Sequence, residues 1–303
     1  MTDTPDLPFV SARFAEHLKQ PTPKNLYHYT TQDGLLGIVA SGSLWATDIT
    51  YLNDATEILL PLGLIRERLS DKLGDTKEIR RGTFPSALEY ARATNTTWAR
   101  ANAFWQLAMS LRGSPTSVIC FCEQGDLLSQ WRGYTGGGYG YSLGFIPDTL
   151  KTIASGSGFI LGRCIYDPDL QKQVIAECVE YLITAANAEF NYEEEDRFWS
   201  VMTCCAFFKH SSFEQEQEWR LVSTFFSGNH KRYNFRKGKS MLIPYETMPI
   251  TGPDNVVIDD LIDRAYVGPC PHMALSKRSA EQLLVSNKIY ARVYPSSIPF
   301  RDW

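Results

Sequence analysis

No apolar run in this chain approaches the ~18–20 residues that a membrane helix needs. Met1 to Val10 is polar and broken by proline, unlike a secretory leader, so the expectation is a cytoplasmic protein with no membrane partner. Charge of one sign is also missing. The net charge of −4 gives no strong field of the kind that holds nucleic acid without regard to sequence, although an enzyme acting on nucleic acid through a local basic patch remains compatible. Cys120 and Cys122 share a strand face, but no second Cys/His pair stands at zinc-ligand spacing, and no metal is expected. The odd count of seven cysteines and their apolar neighbours, as in Cys204-Cys205-Ala206-Phe207, point to buried free thiols in a reducing compartment. No glycine run leads into Gly-Lys-Ser/Thr, and no Gly-x-Gly-x-x-Gly joins a strand to a helix. A Gly-x-Ser-x-Gly elbow is absent too, and Cys205 and His210 both fall at a helix end, which ranks a Cys-His hydrolase low. There is no internal repeat and no low-complexity linker.

What is present is the composition of a folded protein: 303 residues, 44% hydrophobic, 13% aromatic and 21% charged. Residues 1–24 read as an N-terminal arm with Phe14 and Leu18 on a short helix, closed by the Pro21-Thr-Pro23 break. Leu26 to Thr30 reads as a strand. The next helix carries Leu35, Leu36, Ile38 and Val39, with Thr31 or Asp33 as its cap and Gly42 as its stop. Ser43 to Thr47 is a second strand, and Asn53 or Asp54 caps a helix that follows. Helical patterns fill about 55–112 and 168–210. Strands are expected at 117–122, 141–145, 158–166, 240–244, 261–267 and 289–294, with a helix over 276–287. The simplest account is an α+β fold in which residues 25–303 form one domain with two helical insertions.

Three stretches carry chemistry. The first is His210-Ser-Ser-Phe-Glu-Gln-Glu-Gln-Glu-Trp-Arg-Leu-Val222. Extended from Glu214, it would send Glu214, Glu216 and Glu218 to one face and Phe213, Trp219 and Leu221 to the other. Such a column of like charge is destabilising unless something uses it; the same pattern also serves a solvated edge strand that discourages pairing. The second is His28, sharing its strand face with Leu26 while Tyr27 and Tyr29 take the other; a lone strand histidine is more often a core residue than a catalytic one. The third is Gln130 to Tyr141, with five glycines and four large aromatics in twelve residues. It suits a ligand cradle and equally a twisted hairpin with a glycine loop.

The order of motifs resembles a widespread bacterial family of unknown function. The motifs are Leu26-Tyr-His-Tyr-Thr30, Gly42-Ser-Leu-Trp45, Leu52-Asn-Asp54, Cys120-Phe-Cys-Glu123, Ser129-Gln-Trp-Arg-Gly-Tyr134, Gly140-Tyr-Ser-Leu-Gly-Phe145 and Glu216-Gln-Glu-Trp-Arg220. More distantly, the His-bearing strand, helix and short strand are similar to the start of ADP-ribosyltransferases, including the DNA-modifying toxin type. That resemblance implies a split mixed or antiparallel sheet around NAD and cleavage of the nicotinamide–ribose bond. The product would go to water or to an unknown macromolecular acceptor, protein or nucleic acid, in a toxin or phage-defence effector. It implies Glu218 as the carboxylate beside the reacting carbon, Glu216 as the group polarising the acceptor, and His28 as the group orienting the adenosine-side ribose. Tyr29, Thr30, Asn53, Trp131, Arg132, Tyr134 and Tyr139 are implied as NAD contacts. The central strand departs from the family pattern: Ile119-Cys-Phe-Cys122 lacks the Ser-Thr-Ser or Tyr signature, leaving Trp131, Tyr134 or Tyr139 to stack on nicotinamide. A competing class is a nucleotide- or partner-binding module that keeps the fold and does no chemistry. A third, a nucleic-acid enzyme, would draw on Lys231, Arg232, Arg236, Lys237 and Lys239, a run that also fits a solvated hairpin face.

Overall fold

The computed structural model describes residues 11–52, 59–73, 116–135, 139–186, 200–224, 233–238, 240–252 and 256–299. In chain order these form α1 (Ala12–His17), β1 (Leu26–Thr31), α2 (Gln32–Ser41), β2 (Ser43–Asp48), α3 (Leu59–Leu73), β3 (Ser117–Cys122), α4 (Leu128–Tyr134), β4 (Gly140–Phe145) and α5 (Pro147–Gly156). They continue with β5 (Phe159–Arg163), α6 (Pro168–Ala186), a helical segment over 200–205, a 3₁₀ turn (Ser211–Glu216), β6 (Glu218–Ser223), β7 (Asn234–Lys237), β8 (Leu242–Pro249), β9 (Ile262–Val267), α7 (Met273–Ser286) and β10 (Arg292–Pro295).

The strands form a mixed, open, branched sheet. Its main path runs β10-β9-β4-β1-β3-β2-β8-β7, and β6 with β5 branches from β3. Only β9 and β10 run parallel among the named pairs. The branch has a simple cause. One edge of β3 is paired with β6 from Val118 to Cys122. The other edge is shared: β1 meets it only at Cys122, and β2 only at Val118 and Ser117. Neither strand pairs with β3 over 119–121, so the sheet splits there. No helix among the described residues is long and apolar enough to cross a membrane.

Helices cover both faces. Period-two alternation sends Leu26, Ile119, Phe121, Leu143, Phe145, Trp219 and Leu221 into one core, against residues of α2, α5 and α7 such as Ile38, Leu150 and Leu284. Val118, Ile160 and Val222 enter a second core with Phe14, Val174, Val179, Phe207 and Phe208, beneath α1, α3, α6 and the 200–205 helix. Each fully buried Leu, Ile or Phe contributes about 1.5–3 kcal/mol. The opening β1-α2-β2 unit follows its sequence signals. Thr31 Oγ1 accepts from the Gly34 amide at 3.1 Å, and Gly42 ends α2 at φ 57°.

The largest difference from the sequence expectation is at 210–222. Residues 211–216 are a 3₁₀ turn, N-capped by His210, and Gln217 at φ 45° reverses the chain before β6 begins at Glu218. The three glutamates therefore do not form one strand column. Two further differences are smaller: β7 is a strand where only a hairpin face was expected, and the last strand starts at Arg292 rather than Ile289. Asn53, Asp54, all of 74–112, Lys231, Arg232 and Lys239 lie outside the described residues.

Candidate functional site

On β6, Glu218 and Arg220 project from the same face, and register carries that face across β3. Cys122 lies opposite Glu218 and Cys120 opposite Arg220; Tyr27 in turn lies opposite Cys122. Tyr27, Tyr29, Cys122 and Trp131 pack together on this side, with Tyr134 against them. Tyr29 meets Trp131 edge-on at 4.6 Å and lies 6.5 Å from Tyr134 between ring centroids.

Beside these aromatics sits a cluster of four charges. Arg220, fully buried, donates from Nε to Glu218 Oε1 at 2.7 Å and from Nη1 to the Ala206 carbonyl at 2.7 Å. Lys209 donates to Glu218 Oε2 and also to Glu216 Oε2, the latter at 2.7 Å. Its ammonium lies 5.4 Å from the Phe213 ring centre. The Tyr166 hydroxyl accepts from the Glu218 amide at 2.9 Å. The reversal at Gln217 thus brings Glu216 back to the same ammonium as Glu218, by a turn rather than by alternation. Burial pushes the Glu218 carboxyl up, but the charges of Arg220 and Lys209 and hydrogen bonds from Arg220 and the Cys120 thiol bring it down to about 2. Tyr134, half-buried, has its phenol raised well above the ordinary range, first by burial and then by Cys120, Glu218 and Glu216. Its hydroxyl therefore stays protonated.

His28 lies elsewhere. Register puts it opposite Leu143, on the other face from Tyr27 and so from Glu218. Its ring is tilted 5.7 Å from Phe121, and its Nδ1 lies 3.0 Å from the Cys120 carbonyl. Since that oxygen can only accept, Nδ1 carries the proton. Burial chiefly, and Arg236 besides, hold the imidazole below its ordinary pKa, against the Cys120 carbonyl, which raises it. Cys120 therefore stands between the two expected catalytic groups: its carbonyl takes His28, and its thiol takes Glu218.

The remaining candidates divide. Tyr29 is buried, donating to the Gln124 carbonyl at 2.7 Å and accepting from the Leu127 amide at 3.0 Å, so its hydroxyl is spent on the loop before α4. Thr30 is buried on the opposite face. Trp131 is buried, with Nε1 on Asp126 at 2.8 Å. Arg132 is exposed, Tyr139 is partly exposed, and Asn53 lies outside the described residues. Of the expected nicotinamide platforms, Tyr134 has a phenol raised by the charges of both glutamates. Sequence reasoning missed Lys209 and the pairing role of Arg220. A lysine directly after Phe207-Phe208 was the available signal for the first, and the i, i+2 spacing from Glu218 for the second. Among the described residues no group of three His, Cys, Asp or Glu gathers as for a metal.

Residues 130–221, from α4 into β6, match a family described as "Protein of unknown function (DUF2971)". The matched stretch contains Trp131, Tyr134, Tyr166, Lys209, Glu216, Glu218 and Arg220, and excludes His28. No curated protein and no solved structure matches the chain.

Proposed function

We propose that the protein cleaves the nicotinamide–ribose bond of NAD and passes ADP-ribose to water or to a macromolecular acceptor. The observation that carries this reading is the Glu216/Glu218 pair gathered on one ammonium, both carboxylates acting on the Tyr134 phenol. Breaking the C1′–N bond sends its electron pair to nicotinamide and leaves an oxocarbenium-like ribose, which a fixed carboxylate stabilises. Glu218 would supply that charge, and Tyr134 a flat surface for the leaving ring. Glu216, the more open carboxylate, would take the proton from the attacking water or acceptor hydroxyl as its oxygen bonds to C1′.

One feature of the cluster favours a second reading, a module that binds nucleotide without turnover. Both Glu218 oxygens are already engaged, by Arg220 and Lys209, and the residue is 3% exposed. The two readings separate in one experiment on the purified protein, with and without cell lysate: nicotinamide release beside the NAD-induced change in melting temperature. Release supports the enzyme, and release that needs lysate supports a macromolecular acceptor. A melting shift without release supports the module, and neither response overturns both.

A further inference from the structure

At the β10 end of the sheet, tyrosines and arginines share one face. Burial alternates along this segment: Ile289 and Val293 are buried, while Tyr290, Arg292 and Tyr294 are exposed. Parallel pairing sets Arg292 beside Arg264 and Tyr294 beside Tyr266, so the four side chains stand on the same face of β9 and β10. The Tyr266 and Tyr294 rings lie 5.5 Å apart, tilted by 31°. Tyr27 continues the strip onto β1, its ring 5.9 Å from that of Tyr266. Between Arg264 and Tyr27 the register places Gly144. A Cβ there would come within 2.6 Å of Arg264 Cγ and 2.9 Å of Tyr27 Cε1, so the missing side chain is what lets these two approach. Asp263 accepts from Arg264 Nε at 3.1 Å and Nη2 at 2.8 Å, which fixes the direction of the guanidinium. The backbone at Gly125 closes the inner end, where a Cβ would meet Tyr27 Cε1 at 2.5 Å and Tyr266 Cε2 at 2.6 Å. The strip therefore opens toward the β9–β10 edge, with Tyr290 75% exposed beside it.

Along β10 the outward order is aromatic, cation, aromatic. Its complement is a polymer in which flat faces alternate with single negative charges. Single-stranded nucleic acid has that order: its bases stack on aromatic rings, and its phosphates accept from guanidinium groups. A duplex keeps its base faces stacked inside, and an acidic peptide offers charge without flat faces. We infer that the β9–β10 face binds single-stranded nucleic acid, with Tyr266, Tyr290 and Tyr294 as stacking surfaces and Arg264 and Arg292 as phosphate contacts. The surface uses none of the basic run at 231–239, and binding on it requires no turnover of NAD.

Fluorescence anisotropy of the full chain with a labelled mixed-sequence single strand, as DNA and as RNA, tests this beside the matching duplex and polyglutamate. At least one single strand is expected to bind more tightly than either comparison. Tyr294→Ala is expected to weaken it about fivefold or more, and Tyr294→Phe to keep the wild-type affinity. Arg292→Met is expected to make the slope of log affinity against log salt shallower by about 0.7. Both side chains are exposed, and thermal unfolding checks that the variants melt with the wild type. No binding of either single strand overturns the inference, as does duplex or polyglutamate binding as tightly, or equal affinity in Tyr294→Ala and the wild type. Strand binding that depends on Tyr294, in a protein that releases no nicotinamide, upholds this surface and removes the catalytic reading. Nicotinamide release without strand binding does the reverse.

Discussion

Replacing Glu218 by Gln removes the anion that holds Lys209 and Arg220. Lys209 keeps Glu216, but Arg220, fully buried, loses the carboxylate that its Nε donates to. Breaking a buried pair by removing one partner typically costs about 3–5 kcal/mol, because a charge is left uncompensated. A second route gives a similar size. The fall of the Glu218 carboxyl from its ordinary 4.5 to about 2 corresponds to roughly 3 kcal/mol. Since the folded pKa is the lower one, that stability is complete above about pH 4.5 and is lost as pH falls toward 2. On these values the contribution is about 3 kcal/mol at pH 7 and about 2 kcal/mol at pH 3.5. Urea unfolding of both proteins followed by circular dichroism should therefore show a stability gap that narrows in acid. A loss below about 1 kcal/mol at pH 7, or a gap as wide at pH 3.5 as at pH 7, would refute the reasoning.

Three further outcomes follow from other parts of the fold. Asp126 accepts from Trp131 Nε1, Ser296 Oγ and the amide and hydroxyl of Ser297, at 2.6–2.8 Å. Allowing for its partial exposure, Asp126→Ala should cost about 1–3 kcal/mol, red-shift tryptophan emission and speed hydrogen exchange at Ser297; unchanged exchange there would count against the clamp. Gly42→Ala puts a Cβ 2.4 Å from Thr251 Cγ2 at φ 57°, which should cost at least about 1–2 kcal/mol by thermal unfolding. His28 has a folded pKa below its ordinary 6.5. Its share of stability is thus present above that pH and lost as pH falls below it, so His28→Gln should have a shallower stability slope between about pH 6.5 and 5.

The strands with strong apolar alternation were legible in the sequence. Val118-Ile119-Cys120-Phe121 and Tyr141 to Phe145 are β-branched or aromatic on a pleat, and β3 and β4 appear where the pattern puts them. The ends of α2 were legible because Thr31 and Gly42 act locally. The Glu214–Glu218 stretch was not. Its polar alternation fits a strand, and the feature that decides otherwise is a left-handed backbone at Gln217, a residue type that seldom signals one. β7 was missed because Asn-Phe-Arg-Lys has no buried face. The separation of His28 from Glu218 depends on a single register pair, Tyr27 opposite Cys122, and Lys209 reaches both glutamates through the turn between them. Neither relation is written in local spacing.

Nicotinamide release from NAD by the wild-type protein and by Glu216→Gln, at matched melting temperature, tests the central claim most directly. Glu216 is suited to this comparison because its side chain is 23% exposed, against 3% for Glu218, so its loss leaves the Glu218–Arg220 pair intact. Release by the wild type and a loss of roughly 10²–10³-fold in the variant are expected, the size typical for a group acting on the transition state. Equal release by the two folded proteins would contradict the claim.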